Sequence, residues 1–347
     1  MTEEPLIQDR TPLEPEYHPP EPVDREGEKS ELQGLLSQLD EAGGVNVHVA
    51  GDRGSGKTLL VSNVVTDLSD SIQVSYIDCQ RFDTEYKALR QICRSVAEKE
   101  INTGHHTSEL QRLLENRTSQ LDTVVILDDV DFLLLNDGND LLYYLSRIKH
   151  SNRIAVVTIS ANNPDLSSEV DERTYSSLQP QTVPFQAYDS DMVEEILTER
   201  AEDSLKPRSV HRDAIHYLAD NTNDIALGLT WLKTAAENAD TVITESLVRE
   251  LQDRVFQKFA DYRLRNFSDH RLLFQAIQEL SQERDEIYAG AVYDRYQALC
   301  RTYSEEALSN RRISDYLKHL EHLNLIEADY HYGGSKGKTR EVNLRQI

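Results

Sequence analysis

Cysteine is scarce in this chain, with three in 347 residues. Cys79, Cys93 and Cys300 are too few for a disulfide framework and match no zinc-ligand spacing, so they read as reduced, buried thiols. Tryptophan occurs once and methionine twice. No apolar run approaches the roughly 18 residues of a membrane span, so no membrane association is expected. The opening MTEEPLIQDR lacks the basic and apolar regions of a signal peptide, and a cytoplasmic protein is the expectation. Positive charge is short too: 37 Lys and Arg stand against 61 Asp and Glu, a net charge of −24. Lysine accounts for only 11 of the 37.

A charge of that sign argues against a nucleic-acid partner at first sight, because phosphates need a positive surface. The acids, however, are spread along the chain and not gathered in a tail. Dispersed acid with little lysine suits a solvent of molar salt, where the Debye length falls to about 3 Å and self-repulsion is screened. The composition is of the halophilic kind. Regionally the balance is uneven. Residues 1–50 carry three basic and twelve acidic side chains, whereas residues 304–347 carry seven of each.

Hydrophobic spacing outlines the organisation. Residues 1–22 hold six of the ten prolines and read as an extended or disordered acidic arm. A helix is expected over 25–39, a strand over 45–50 and a helix over 59–68. Further strands are expected over 72–78, 123–127 and 154–159, with helices between them. Alternating strands and helices imply an α/β fold with a parallel sheet. Beyond Pro184 the pattern turns helical over 192–201, 210–219, 225–239 and 245–263. Helices near 270–281, 289–302 and 309–323 follow, then two short strands around a glycine-rich turn.

The most specific motif is Gly51-Asp52-Arg53-Gly54-Ser55-Gly56-Lys57-Thr58, which fits G-x-x-x-x-G-K-[ST] between an expected strand and an expected helix. Glycines let backbone N–H groups converge on phosphates, and the helix N-terminus adds a positive dipole end. Arg53, Ser55 and Leu59 complete this nucleotide cradle for ATP or ADP. Lys57 would reach the β- and γ-phosphates, and Thr58 would ligate Mg²⁺. Val124-Val125-Ile126-Leu127-Asp128-Asp129 supplies the second anchor: Asp128 for the metal, Asp129 to polarise the attacking water.

With these motifs in place, the chain resembles the archaeal origin-recognition-complex-type replication initiators, AAA+ ATPases with a winged-helix domain. The likeness runs from about Tyr17 to the end. It is carried by Tyr17-His18-Pro19-Pro20 with Arg25-Glu26, Tyr76-Ile77-Asp78-Cys79, Leu127-Asp128-Asp129-Val130-Asp131 and the stretch from Asp171 to Leu178. The stretches Tyr188 to Arg200, Tyr293 to Tyr296 and Asn310 to Ser314 add to it. The resemblance implies an AAA+ P-loop sheet with a helical lid and a C-terminal winged helix. The boundaries expected are 1–22 for the arm, 23–185 for the AAA+ core, 186–255 for the lid and 256–347 for the winged helix.

The resemblance also implies roles. Asn162 would be an amide sensor near the γ-phosphate, although Asn162-Asn163-Pro164-Asp165 is also turn chemistry. Arg173 would be an arginine finger acting on a neighbouring copy; read without the family it is a surface ion pair with Asp171 or Glu172. Tyr188 and Arg200 would border the nucleotide from the lid. Two positions depart from the family. Ala226 stands where the lid arginine is usual, and Asp129 stands where glutamate is usual. The shorter carboxylate matters, since roughly 1 Å of misplacement can cost about 100-fold in rate. Nucleotide binding with weak hydrolysis is the expectation.

For DNA, the helix over 309–323 would present Arg311, Arg312, Ser314 and Lys318, and the wing Lys336, Lys338 and Arg340. A helical insert near 84–106 would add a second contact. The resemblance implies an initiator that binds double-stranded origin DNA and recruits the replicative helicase, nucleoid-associated and working with other initiator copies. Two alternatives stay open: a nucleotide-holding DNA-binding regulator without origin activity, and a generic AAA+ remodelling ATPase.

Overall fold

The computed structural model describes residues 5–37, 45–68, 71–97, 101, 104–148, 154–161, 165–331 and 339–345. The chain divides into two units, Met1–Val248 and Arg249–Ile347.

The first unit is built on five parallel strands: β1 (Val47–Gly51), β2 (Ile72–Asp78), β3 (Asp122–Asp128), β4 (Ile154–Ala161) and β5 (Gln181–Phe185), in the order β2-β3-β4-β1-β5. The central strands β3 and β4 are almost wholly buried, which is why they read as unbroken Val/Ile runs and not as alternation. Helices α1 (Glu26–Ser37) and α2 (Lys57–Thr66) cover one face through Leu32, Leu36, Leu60 and Val64. On the other side lie α3 (Glu85–Ala97), α4 (Thr107–Thr118), α5 (Val130–Leu134), α6 (Asn139–Ser146) and α7 (Glu172–Leu178), packed through Leu89, Ile92, Leu110, Leu114 and Leu142. The stretch expected to hold a helical insert thus contains α3 and the lead-in to α4.

A helical layer follows: α8 (Ser190–Ser204), α9 (Arg212–Asn221), α10 (Ile225–Asn238) and α11 (Glu245–Glu250). In the second unit, α12 (Gln252–Arg263), α13 (Arg271–Glu283), α14 (Ala289–Tyr303) and α15 (Asn310–His322) precede the antiparallel pair β6 (Ile326–His331) and β7 (Thr339–Leu344). Ile287 receives a hydrogen bond from the Val342 amide at 2.7 Å, which adds a third strand-like segment to that ribbon.

Three sequence expectations need correction. The stretch 1–22 is packed from Pro5 onward, not disordered. Leu6 and Leu13 are buried, Ile7 forms an antiparallel bridge with Leu205, and Glu14 pairs with Lys233 at 2.5 Å. Its composition is that of a disordered arm, but two leucines are enough to seat it. Strand β5 was read as loop because Pro184 lies inside it. The strand is at the sheet edge, where a missing N–H removes no ladder bond. The helix expected over 245–263 is two helices, divided at Leu251.

Candidate nucleotide site and winged helix

The P-loop leaves β1 at Gly51 and enters α2 at Lys57. Gly54 and Gly56 have φ of 86° and 87°, a conformation other residues rarely hold. A Cβ on Gly56 would lie 2.6 Å from the Tyr188 hydroxyl oxygen, and one on Gly54 would lie 2.8 Å from an Asp224 carboxylate oxygen. Lys57 donates from Nζ to the carbonyls of Gly51 at 2.9 Å and Asp52 at 2.6 Å. Burial, aided by the Arg53 charge, lowers its pKa to about 8. Ser55 is buried in the loop, and Leu59 is half-buried in the first turn of α2.

At the tip of β3, Asp128 accepts from the Thr58 hydroxyl at 3.1 Å on Oδ1 and 3.0 Å on Oδ2. The Tyr76 hydroxyl on β2 donates to the same carboxylate. Asp129 points to the P-loop. Arg53 Nη2 donates to its Oδ1 at 2.8 Å and Arg53 Nη1 to its Oδ2 at 3.2 Å. Gln80 Nε2 also reaches Oδ2, at 2.6 Å. The two neighbouring acids are driven apart. Burial and the Asp129 charge raise Asp128, whereas the Arg53 guanidinium outweighs burial and holds Asp129 low. Asp131 accepts the Ala161 amide at 2.9 Å, and burial raises its pKa to about 7.

Arg25 and the lid border the loop. Buried Arg25 donates to the carbonyls of Ser55 at 3.2 Å and Gln186 at 2.8 Å and stacks 4.2 Å from the Tyr188 ring centre. Arg200 is buried over the Tyr17 ring, and its Nη1 has no hydrogen-bond partner. Asp224 caps α10 by accepting the Ala226 amide at 3.0 Å. So where a lid cation is usual, this lid presents an acid and a methyl group to the P-loop side.

Two expected site residues lie apart from this cluster. Arg173 is exposed on α7, stacked 4.0 Å over Tyr143 and paired with Asp140 at 3.4 Å, not with Asp171 or Glu172. Asn162 lies outside the described residues.

In the second unit, Ser309 caps α15 by accepting the Arg312 amide at 3.4 Å. Ile313, Tyr316, Leu317 and Leu320 face inward, as does His319, which the spacing alone did not reveal. Arg311 and Arg312 are exposed; Ser314 and Lys318 are half-buried. Arg340 is a correction. Expected as a wing contact, it is buried and donates to Glu321 Oε2 at 2.7 Å, so it ties β7 to α15. Lys336 and Lys338 lie outside the described residues. Buried His270 meets His319 at 2.9 Å between ring nitrogens and stacks on Tyr316 at 3.7 Å.

Residues 21–159 match the family described as AAA ATPase domain, and residues 263–346 match the CDC6 C-terminal winged helix domain. The ORC1-type DNA replication protein of Thermococcus kodakarensis is 31% identical over 326 residues, 86% of this chain and 78% of that one. The chain belongs to the ORC1-type DNA replication proteins. A second ORC1-type relative, from Methanosphaera stadtmanae, is 29% identical over 340 residues, 91% of this chain and 87% of its own length. The solved structure of the Aeropyrum pernix ORC1 protein in complex with DNA shares the fold, with a TM-score of 0.74 at 24% identity over 99% of this chain and 94% of that one. The ORC1-type chain is therefore a DNA replication protein with an AAA ATPase domain and a winged helix.

Sequence reasoning overlooked Tyr76, Gln80, Asp131 and Asp224 as parts of this site. Tyr76, Gln80 and Asp131 lie within six residues of a recognised motif or on the strand beside it, so adjacency in a parallel sheet was the available signal. Asp224 had the N-cap signature of α10, which does not announce that the cap faces the P-loop.

Proposed function

We propose that this chain is an ATP-binding replication initiator that marks origin DNA and takes part in recruiting the replicative helicase. The observation that carries the nucleotide half is the Thr58–Asp128 contact at the mouth of the glycine loop. A hydroxyl and a carboxylate side by side are the hard oxygen donors that Mg²⁺ selects, and the residues present fit that ion. Bound there, Mg²⁺ would neutralise charge on the phosphates. The loop amides and Lys57 would hold the β- and γ-phosphates of ATP or ADP, leaving the loop carbonyls that Lys57 now engages. Tyr188 and Arg200 would close the base side, the unpaired Arg200 Nη1 being a donor awaiting an acceptor.

In hydrolysis, the water oxygen bonds to the γ-phosphorus while that phosphorus separates from its bridging oxygen, giving ADP and phosphate. Asp129 takes the water proton and returns it to the phosphate. Asn162 and an Arg173 from another copy would complete the site. Ala226 and the short Asp129 both favour slow turnover, so ATP acts as a long-lived state marker and not as fuel.

For DNA, Arg311 and Arg312 at the exposed start of α15, with Ser314, Lys318, Lys336 and Lys338, would meet the duplex, and α3 would supply a contact from the first unit. The test has two arms: nucleotide titration of the full chain, and footprinting of intergenic DNA from the encoding genome in about 0.2 M and about 2 M KCl. Lys57→Ala should weaken Mg-ATP binding by about 100-fold or more. No protected sequence with ATP, ADP or no nucleotide would overturn the DNA half.

A further inference from the structure

The side chain of Arg53 is not needed for a glycine loop to wrap phosphates, since the loop does that with backbone amides. Here it does something else. Its guanidinium is buried and bonds both oxygens of Asp129, at 2.8 and 3.2 Å. Gln80 adds a third donor at 2.6 Å. Asp129 meets them from a left-handed backbone conformation, φ 52° and ψ 48°, at the start of α5. A non-glycine residue there costs on the order of 1 kcal/mol and persists where its surroundings hold it. Side chain and backbone thus point the carboxylate the same way, toward the loop.

We infer that Arg53 is a positioning residue that holds the Asp129 carboxylate against the P-loop and so sets the rate at which bound ATP is hydrolysed. A carboxylate has about four acceptor positions, and three are taken here. A water beside the γ-phosphate meets a base already engaged by a guanidinium and an amide. The lid adds to the effect. With Ala226 at the start of α10, it offers no cation to share the load, and its Asp224 lies against Gly54, next to Arg53. The γ-phosphate is itself an anion that competes for Arg53, and drawing the guanidinium away releases Asp129. The inference rests on the reading of this loop as a nucleotide site.

The experiment is single-turnover hydrolysis of pre-bound ATP by the full chain, with ATP affinity measured alongside. Arg53→Ala should raise the hydrolysis rate by about tenfold or more, because a working general base contributes about 10²–10⁴-fold. ATP affinity should shift by less than about threefold, since the backbone cradle is intact. Arg53→Lys keeps the charge but cannot bond both oxygens, and should fall between. It carries the test if removing the whole side chain unfolds the protein, as circular dichroism would show. The gain should vanish in the double variant Arg53→Ala/Asp129→Asn. Variants that bind ATP yet hydrolyse it no faster than the parent overturn the inference and leave the nucleotide site standing. A parent chain that binds no ATP overturns both.

Discussion

Tyr76 shows how one residue can be misread by position. It lies on the edge strand β2 and its side chain is partly exposed, yet its hydroxyl donates to the carboxylate that also receives Thr58. Tyr76→Phe removes one donor and leaves the ring, so Asp128 loses an orienting bond worth roughly 1–3 kcal/mol. Nucleotide affinity should then fall several-fold with Mg²⁺ present and hardly change in its absence, as a titration with and without a chelator would report. Ala226→Arg tests the lid: a restored cation near the phosphates should favour ATP over ADP by about tenfold, read in competition binding. His270 gives a pH prediction. Burial, with a smaller effect from His319, lowers it from the ordinary 6.5 to about 3. Between those values the unfolded chain binds a proton that the folded one refuses, so stability falls as pH falls. This group alone costs roughly 1.4 kcal/mol per pH unit below about 6.5. Denaturant melts should show the slope, and His270→Gln should flatten it. The glycine loop and the Asp pair were legible because chain neighbours build them. The pairing of Arg53 with Asp129, 76 residues on, was not, because only the fold brings them together.

At the level of elements, the strands were legible wherever burial is complete, because a strand sealed on both faces is an apolar run. β5 escaped because its residues alternate and one of them is proline. Helix α15 was legible down to its cap. Ser309→Ala should cost about 1 kcal/mol of winged-helix stability. Arg340 went unread as a structural residue because a buried arginine depends on its partner, and Glu321 belongs to a different element. Arg340→Ala should lower winged-helix stability by about 2 kcal/mol, less than the loss for a fully sealed pair because Glu321 is 38% exposed. A drop in melting temperature with DNA affinity retained would identify a clamp; lost DNA affinity at unchanged stability would restore the contact first expected. Leu13→Ala should destabilise the first unit by about 3 kcal/mol, although composition places it in a disordered arm.

For the whole molecule, the −24 charge predicts that stability rises with salt. Thermal melts of the full chain between about 0.1 and 2 M KCl should move steadily upward, and a flat response would mean that the acids are already compensated within the fold. In such salt counterion release contributes little to DNA affinity, so groove contacts and DNA shape must carry it. Arg312→Ala should therefore weaken specific binding at high salt more than the loss of one charge suggests. The initial segment has a mechanical consequence. Its beginning is stitched to the helical layer by the Ile7–Leu205 bridge and the Glu14–Lys233 pair. Its continuation is anchored in the sheet layer, by Arg25 on the Ser55 carbonyl and by Leu32 and Leu36 in the core. The stretch between Glu14 and Arg25 is a leash of about 11 residues with a fully extended reach of roughly 36 Å. Any swing of the lid that nucleotide exchange requires is limited by how far that leash pays out.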